Sequence, residues 1–312
     1  MSRGKAKIAV IGAGNVGATC AFVLAQRNLG DIVLLDIYEG FAKGKALDMS
    51  QGGQILNYDG GITGTSDYAD IAGSEVVVVT SGFPRQPGMS REDLIGKNAE
   101  IISQVGTGIR DHAPDAVIVM VTNPLDLMTY HMQKVTGFPP ERVVGQAGIL
   151  DSARMTHFVA QELGCSNEDV TAMVLGGHGD TMVPLPRYTT VGGISITQLM
   201  DEETIDAISK RTAGGGGEIV KLLERGSAFY APGSAAAIMA ESIINDRKRF
   251  IPASAYLTGQ YGLSDVYIGV PIILGRNGVE QIIELELTDL ELESLQNSGN
   301  FYKTQLSELL GY

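Results

Sequence analysis

Cysteine and histidine are both scarce in this 312-residue chain, and no apolar run approaches the length of a membrane span. The two cysteines, Cys20 and Cys165, fit no metal-ligand spacing. Cys20 lies on an apolar helix face and reads as core. The spacing leaves a disulfide between the two open, and a reducing compartment disfavours it. A spanning helix needs about 20 consecutive apolar residues, and none is present. The N-terminal MSRGKAK leads straight into a short strand rather than into the apolar region of a signal peptide. A cytoplasmic location is the expectation. Basic residues are also in deficit, 23 against 36 acidic, for a net charge of −13. That balance argues against nucleic acid or an anionic membrane as partner. It does not exclude a small anionic substrate, because a few arginines can dominate a cleft. Hydrophobic residues make up 44% of the chain, enough to bury a full core, so disorder is excluded. There is no internal repeat and no low-complexity linker.

What is present is an alternation of apolar strands and helices. Lys7 to Ile11 is a short apolar strand, followed by Gly12-Ala13-Gly14-Asn15-Val16-Gly17 and a helix-like run from Ala18 to Arg27. The next strand, DIVLLD, ends at Asp36. Further strands read at 75–80, 116–122 and 142–145, with helical patterns at 91–110 and 125–135. Continuous apolar strands alternating with helices mean a parallel sheet covered on both faces. Residues 1–148 therefore read as one α/β, doubly wound unit of Rossmann type. The character then changes. After a helix near 150–163, strands are expected at 170–175 and 188–191. Helices follow at 202–224 and 234–245, strands at 253–257, 267–274 and 279–287, and a last helix at 289–310. Residues 149–312 read as an α+β second domain. Gly214 to Gly217 falls inside the 202–224 helix, where it is expected to loosen or interrupt it.

Gly12-x-Gly14-x-x-Gly17 is the dinucleotide fingerprint in its required context, with a strand before and a helix after. Gly12 permits the tight turn, Gly14 lets a pyrophosphate approach the backbone, and Gly17 permits close helix–strand packing. The helix N-terminus offers free N–H groups to the anion. Asp36 stands where a carboxylate accepts bonds from the adenosine ribose hydroxyls. It would repel a 2′-phosphate, which favours NAD over NADP.

The chain has only four histidines, and His178 is the one set among glycines, in GGHGD at the end of an apolar run. Glycines keep bulk away from its ring, and a turn histidine is placed for general acid/base work. His112, His131 and His157 sit in helix-like runs, where a surface or core role is the default. Arg85 and Arg91, in FPRQPGMSR, follow the 75–80 strand on the ligand edge of the sheet. Pro84, Pro87 and Gly88 give that loop the stiff segments and hinges of a lid. Two solvated surface arginines are the alternative. Asp151 and Arg154 are spaced i, i+3 on one helix face. They are either a surface ion pair or a histidine partner beside a carboxylate grip. Asn123, in VTNP at another strand end, either donates to a carbonyl or caps the next helix.

GAGNVG, Asp36, FPRQPGMSR, VTNP, GILDSAR and GGHGD occur in the order and spacing of the L-lactate/malate dehydrogenases, over essentially the whole chain. The sequence resembles that superfamily, and within it the prokaryotic, lactate-dehydrogenase-like malate dehydrogenases. Lactate dehydrogenases typically carry glutamine where this chain has Arg85, and the sequence starts only a few residues before its first strand, without the longer N-terminal arm of many vertebrate lactate dehydrogenases. The resemblance implies His178 as proton acceptor/donor and Asp151 as its carboxylate partner. It implies Arg154 as the fork on the substrate's C1 carboxylate, Arg91 on the carbonyl and Arg85 on a second carboxylate. Asn123 would contact substrate and cofactor. Asn98 and the strand end Val121, Thr122 and Asn123 would line the NAD site together with Gly12, Ala13, Gly14, Asn15, Val16, Gly17 and Asp36. Ala228 and Pro232 would pack the nicotinamide side. The reaction implied is NAD-dependent interconversion of malate and oxaloacetate, with no metal, in a homotetramer or alternatively a dimer. The rival readings are a lactate or broader 2-hydroxyacid dehydrogenase, which Arg85 argues against, and a non-catalytic NAD sensor. A sensor would not need His178, Asp151 and three arginines together.

Overall fold

The computed structural model describes residues 5–83 and 90–312, with the side chain of Arg91 outside that description. The first half runs β1 (Lys7–Ile11), α1 (Asn15–Gln26), β2 (Asp31–Leu35), α2 (Glu39–Leu56), β3 (Ile62–Thr65), β4 (Val76–Val79), α3 (Arg91–His112), β5 (Val117–Met120), α4 (Leu125–Thr136) and β6 (Val143–Gly145). These strands lie in the order β3-β2-β1-β4-β5-β6, all parallel. All four valines of β4 are buried, as is the whole of β5 (VIVM). Such fully apolar strands survive only with both faces covered. Each buried Val or Ile contributes roughly 1.5–3 kcal/mol. The order reverses between β1 and β4, and that crevice is where a doubly wound sheet receives its ligand.

The second half runs α5 (Gly148–Leu163), β7 (Val170–Thr171), β8 (Val174–Gly176), β9 (Met182–Pro184), β10 (Thr190–Val191), β11 (Ile194–Ser195), α6 (Glu202–Leu223), α7 (Tyr230–Ile244), β12 (Arg249–Thr258), β13 (Ser264–Gly275), β14 (Gly278–Ile282) and α8 (Asp289–Gln305). It shares the sheet of the first half. β12 pairs antiparallel with β6 at Ser254 and Gly145, and the ladder continues through β13, β8 and β9. One apolar cluster accordingly includes residues of both halves, from Ile8 to Leu306. A smaller cluster lies among α5, α6 and a three-stranded sheet of β11, β10 and β7.

Several elements differ from the sequence reading. Helix α2 and strand β3 were not anticipated. The buried face of α2 is Ala42, Ala46 and Gly53, too small to produce an apolar periodicity. The helix lies so close to β3 that a β-carbon on Gly64 would sit 2.4 Å from the Ala42 backbone. The run 170–175 is two strands in two sheets, because the chain changes neighbours at Ala172 and Met173. The strand expected to reach 287 ends at Ile282. Ile282 pairs with Ile272, and the next residue of β13 is Pro271, whose carbonyl accepts from Ile283 but which has no N–H to return.

The four-glycine run does not interrupt its helix, for α6 is continuous from Glu202 to Leu223. The four positions are not equivalent. β-Carbons at Gly214 and Gly217 would meet open space, whereas one at Gly215 would lie 3.2 Å from Cδ of Arg154. A helical glycine costs about 1 kcal/mol relative to alanine. Gly217→Ala is therefore expected to stabilise the protein by about 0.4–1 kcal/mol in urea unfolding. Gly215→Ala should gain less or lose, and an equal gain at both sites would contradict this division.

Candidate active site and dinucleotide cradle

The turn after β1 shows three different uses of glycine. Gly12 has φ +104, and a β-carbon there would sit 2.7 Å from the Ser81 nitrogen. At Gly17 a β-carbon would come within 1.8 Å of the Gly12 carbonyl oxygen, so α1 can pack against the turn only without one. Gly14 meets nothing within 4 Å and is exposed. It is the N-cap of α1 and has no side-chain cap, which leaves the first N–H groups of the helix to an external acceptor. Asn15 is exposed beside it, while Ala13 is buried. Asp36 follows β2 and closes the cradle. Its Oδ2 accepts from the Ala13 N–H at 2.8 Å and its Oδ1 from the Tyr38 N–H at 3.0 Å. The carboxylate is thus fixed at the turn, half-buried, with lone pairs remaining for ribose hydroxyls. These features fit a dinucleotide.

On the far side of the crevice, Asn98 of α3 is buried and already committed. Its Oδ1 accepts from Phe83 N–H at 2.6 Å and its Nδ2 donates to the Asn123 carbonyl at 2.7 Å. Asn98 thereby ties the residue just before 84–89 to the strand end at Asn123. Thr122 is buried too and donates to the Ser81 carbonyl at 2.6 Å. Val121 is partly buried, and Asn123 is exposed. Arg85 lies outside the described residues. Arg91 is the first residue of α3, behind a capping box of Ser90 and Asp93.

His178, Asp151 and Arg154 are brought together. Asp151 projects from the first turn of α5 and its side chain is 2% exposed. Its Oδ2 lies 2.9 Å from Nδ1 of His178, and its Oδ1 accepts from Nη1 of Arg154 at 3.2 Å. The i, i+3 pair is therefore not a surface ion pair. A carboxylate on Nδ1 makes that nitrogen the proton-bearing one and leaves Nε2 free to accept a proton. Burial acts to lower the His178 pKa, but the charge and hydrogen bond of Asp151, helped by Asp126, outweigh it even against Arg154. The net pKa stands above the ordinary histidine value. The turn is held from behind as well. Gly177 N–H donates to Ser298 Oγ of α8 at 2.9 Å, and the Tyr302 ring leaves no room for a β-carbon on Gly177. Arg154 lies along Gly215 and Gly216 of α6, which accounts for two of the four glycines. Pro232 is buried in α7, its carbonyl accepting from Gln146 at 2.9 Å.

The other histidines keep ordinary roles. His131 is buried between Ser103 and Tyr312, with its pKa lowered by burial despite a bond to the Ala99 carbonyl. Cys20 and Cys165 are both free. One participant escaped the sequence reading: Asp126, three residues beyond Asn123, accepts the backbone N–H of His178 at 2.9 Å. An acid in the first turn of a helix is ordinary dipole compensation, so nothing in its local pattern marked it.

The profile of the NAD-binding domain of lactate/malate dehydrogenases matches residues 6–145, and that of the family's α/β C-terminal domain matches residues 149–310. The chain belongs to the lactate/malate dehydrogenase family. A malate dehydrogenase of Methanosarcina mazei is 54% identical over 303 residues, 97% of this chain and 99% of its own. One from Rhodopirellula baltica is also 54% identical, over 98% of each chain. Among solved structures, the apo malate dehydrogenase of Picrophilus torridus superposes with a TM-score of 0.96 at 50% identity, covering 99% of this chain and 98% of that one. The lactate dehydrogenase of Cryptosporidium parvum, complexed with lactic acid and nicotinamide adenine dinucleotide, gives 0.95 at 42% identity over 99% of each. The backbone is common to both activities, so it does not choose between them.

Removing the Asp151 charge should lower the His178 pKa, because that charge is the main force raising it. An NMR titration of Asp151→Asn reads this directly, and four histidines make the ring-proton spectrum simple to assign. A His178 pKa that stays in place or rises would show that Asp151 is not its source of support.

Proposed function

We propose that this chain interconverts (S)-malate and oxaloacetate with NAD, using His178 as the proton carrier. The observation that carries the chemistry is the His178–Asp151–Arg154 triplet on the ligand side of a dinucleotide-binding sheet. The sequence relatives at 52–54% identity, named as malate dehydrogenases, support the choice of substrate.

Nε2 of neutral His178 takes the proton of the substrate hydroxyl as the hydride leaves C2. Bound NAD supplies the acceptor for that hydride. Asp151 holds the ring in the required tautomer and stabilises the imidazolium that forms. In the reverse direction protonated His178 gives the proton to the oxaloacetate carbonyl, which Arg91 polarises as negative charge develops. Arg154 binds the C1 carboxylate with its planar fork, and Asn123 contacts substrate and cofactor. The residues from Gly12 to Gly17 hold the pyrophosphate, and Asp36 the adenosine ribose. Asn98 maintains the nicotinamide end by joining Phe83 to Asn123. Arg85 reads the second carboxylate, an assignment that rests on its place in the FPRQPGMSR motif.

We also propose a homotetramer in the cytoplasm, with a dimer as the alternative. Gly40, Gly44, Leu47 and Ile55 fall at i, i+4, i+7 and i+15 on the outer face of α2. Leu47 is 60% and Ile55 74% exposed, and β-carbons on both glycines would meet open space. That apolar, close-approach face fits a second copy of the chain, and light scattering reads the assembly. Among the described residues no helix is long and apolar enough to cross a membrane.

The carboxylate of Asp36 should make the enzyme prefer NADH to NADPH. Equal kcat/KM with the two cofactors would remove Asp36 from the ribose site. The test of the substrate is the ratio of oxaloacetate to pyruvate turnover. An unpaired arginine in a closed, desolvated site costs on the order of 3–5 kcal/mol, so the unaltered protein should favour oxaloacetate by roughly 10²- to 10⁴-fold in kcat/KM. Arg85→Gln should lower oxaloacetate turnover and raise pyruvate turnover. An unchanged ratio would deprive the malate assignment of its physical basis.

A further inference from the structure

His178 is bonded to a second carboxylate besides Asp151. Asp126 stands in the first turn of α4, in the half of the chain that builds the dinucleotide sheet, and it is 1% exposed. Its Oδ2 accepts the His178 backbone N–H at 2.9 Å and its Oδ1 accepts Ser254 Oγ–H at 2.7 Å. Both partners belong to the other half of the chain. Ser254 is the residue at which β12 pairs with Gly145 of β6, the seam between the halves. The carboxylate thus sits at the point where the sheet passes from one half to the other, with one oxygen on the seam and one on the proton-carrying turn.

We propose that Asp126 is a positioning residue for His178, which fixes the height of the GGHGD turn over the dinucleotide sheet and backs the imidazolium with a second negative charge.

The arrangement of donors supports this. Both hydrogen bonds run toward Asp126, as a carboxylate requires and as a protonated acid could satisfy only with loss of acceptor capacity. A buried carboxylate is expensive unless it is hydrogen-bonded or paired, and here a backbone N–H, a serine hydroxyl and the nearby imidazolium serve that purpose. Burial pushes its carboxyl up to about 6, against the pull of Ser254 and His178 and with a small upward push from Asp151. The two donated hydrogen bonds favour its ionised form, the form able to support a cation. The same field acts on His178, for which Asp126 is one of the groups that raise the pKa. The other charged groups acting on His178 are Asp151 and Arg154, both on α5. From α8 the neighbours of the turn are Ser298 and the Tyr302 ring, and Asp180 at the end of the turn is exposed. Two carboxylates therefore hold His178 through different atoms: Asp151 through the ring Nδ1, and Asp126 through the backbone N–H.

A purely structural role for Asp126 would lower stability and leave the titration of the active enzyme where it was. The proposal requires the titration to move. Asp126→Asn keeps the size and one acceptor oxygen but removes the charge. In the intact enzyme the apparent pKa governing malate oxidation should fall, because neutral His178 would then persist to lower pH. Oxaloacetate reduction should lose activity at a lower pH than in the unaltered protein. We expect kcat/KM for oxaloacetate to drop about 10- to 100-fold at pH 7.5, a part of the roughly 10²- to 10⁴-fold that general acid/base catalysis supplies as a whole, with the NADH Kd from fluorescence titration within twofold. An unmoved pKa, with kcat/KM within threefold, in a variant that binds NADH normally would overturn the proposal. If Asp126→Asn does not fold, Ser254→Ala tests the same idea. Loss of that donor raises the Asp126 pKa and weakens its charge, so the His178-linked pKa should fall, as in Asp126→Asn, by a smaller amount. An unmoved pKa in Ser254→Ala would likewise count against it. The inference rests on His178 as the proton carrier, and His178→Asn separates the two: full activity there defeats that reading, whatever Asp126 does.

Discussion

The two oxygens of Asp151 are divided between His178 and Arg154, and the side chain has almost no contact with solvent. Most of what the site can do depends on that division. The bond to Nδ1 decides which nitrogen of the ring is basic, and the bond to Nη1 turns a long, flexible arginine into a fixed fork. Because one carboxylate holds both, the distance between proton carrier and carboxylate grip is set by a single rigid group on the first turn of α5. In the proposed mechanism, a substrate with a carboxylate one bond from its carbinol carbon is measured against that distance. The low-dielectric surroundings strengthen each contact and make an empty place costly.

The sheet supplies the second constraint. A doubly wound sheet could end at β6, but here it continues into β12 and β13 through the Gly145–Ser254 pairing. The cradle for the dinucleotide and the turn bearing His178 are thus parts of one hydrogen-bonded surface. Asp126, Ser254 and Ser298 add side-chain links across the same region. An acid/base group presented by a short turn is only as well placed as the turn, and this one is anchored by its own backbone N–H groups at two consecutive residues.

Much of this was legible in the sequence, for physical reasons. The strands of the first half are wholly apolar, and each glycine of the fingerprint answers a different steric demand, so both leave strong local traces. His178, Asp151 and Arg154 were separable from surface residues by their motifs, although only the fold brings Asp151 and His178 within 2.9 Å. The parts that escaped have weak local traces. Helix α2 buries alanine and glycine. The stretch 170–175 reads as one strand because nothing local reports a change of partner. Asp126 resembles an ordinary helix-start acid until its neighbours 52 and 128 residues away are in place. On propensity alone the glycine run in α6 reads as a place where the helix is loosened or interrupted. Its packing against α5 holds the helix together, and two of the glycines leave room for Arg154.

That glycine run gives one wall of the site a low intrinsic helix propensity. Native chains do not open uniformly; segments of low intrinsic stability fray and re-form many times for each global unfolding. Four consecutive glycines place such a segment directly against the stem of Arg154, while Asp151 and His178 are held by α5, α4 and α8. Arg154 is consequently backed by a stretch of helix with low intrinsic propensity, whereas the His178 turn is held by side chains of α5, α4 and α8. A ligand that immobilises Arg154 will slow amide exchange along α6, so the occupancy of a site built on α5 is written into the protection of a neighbouring helix.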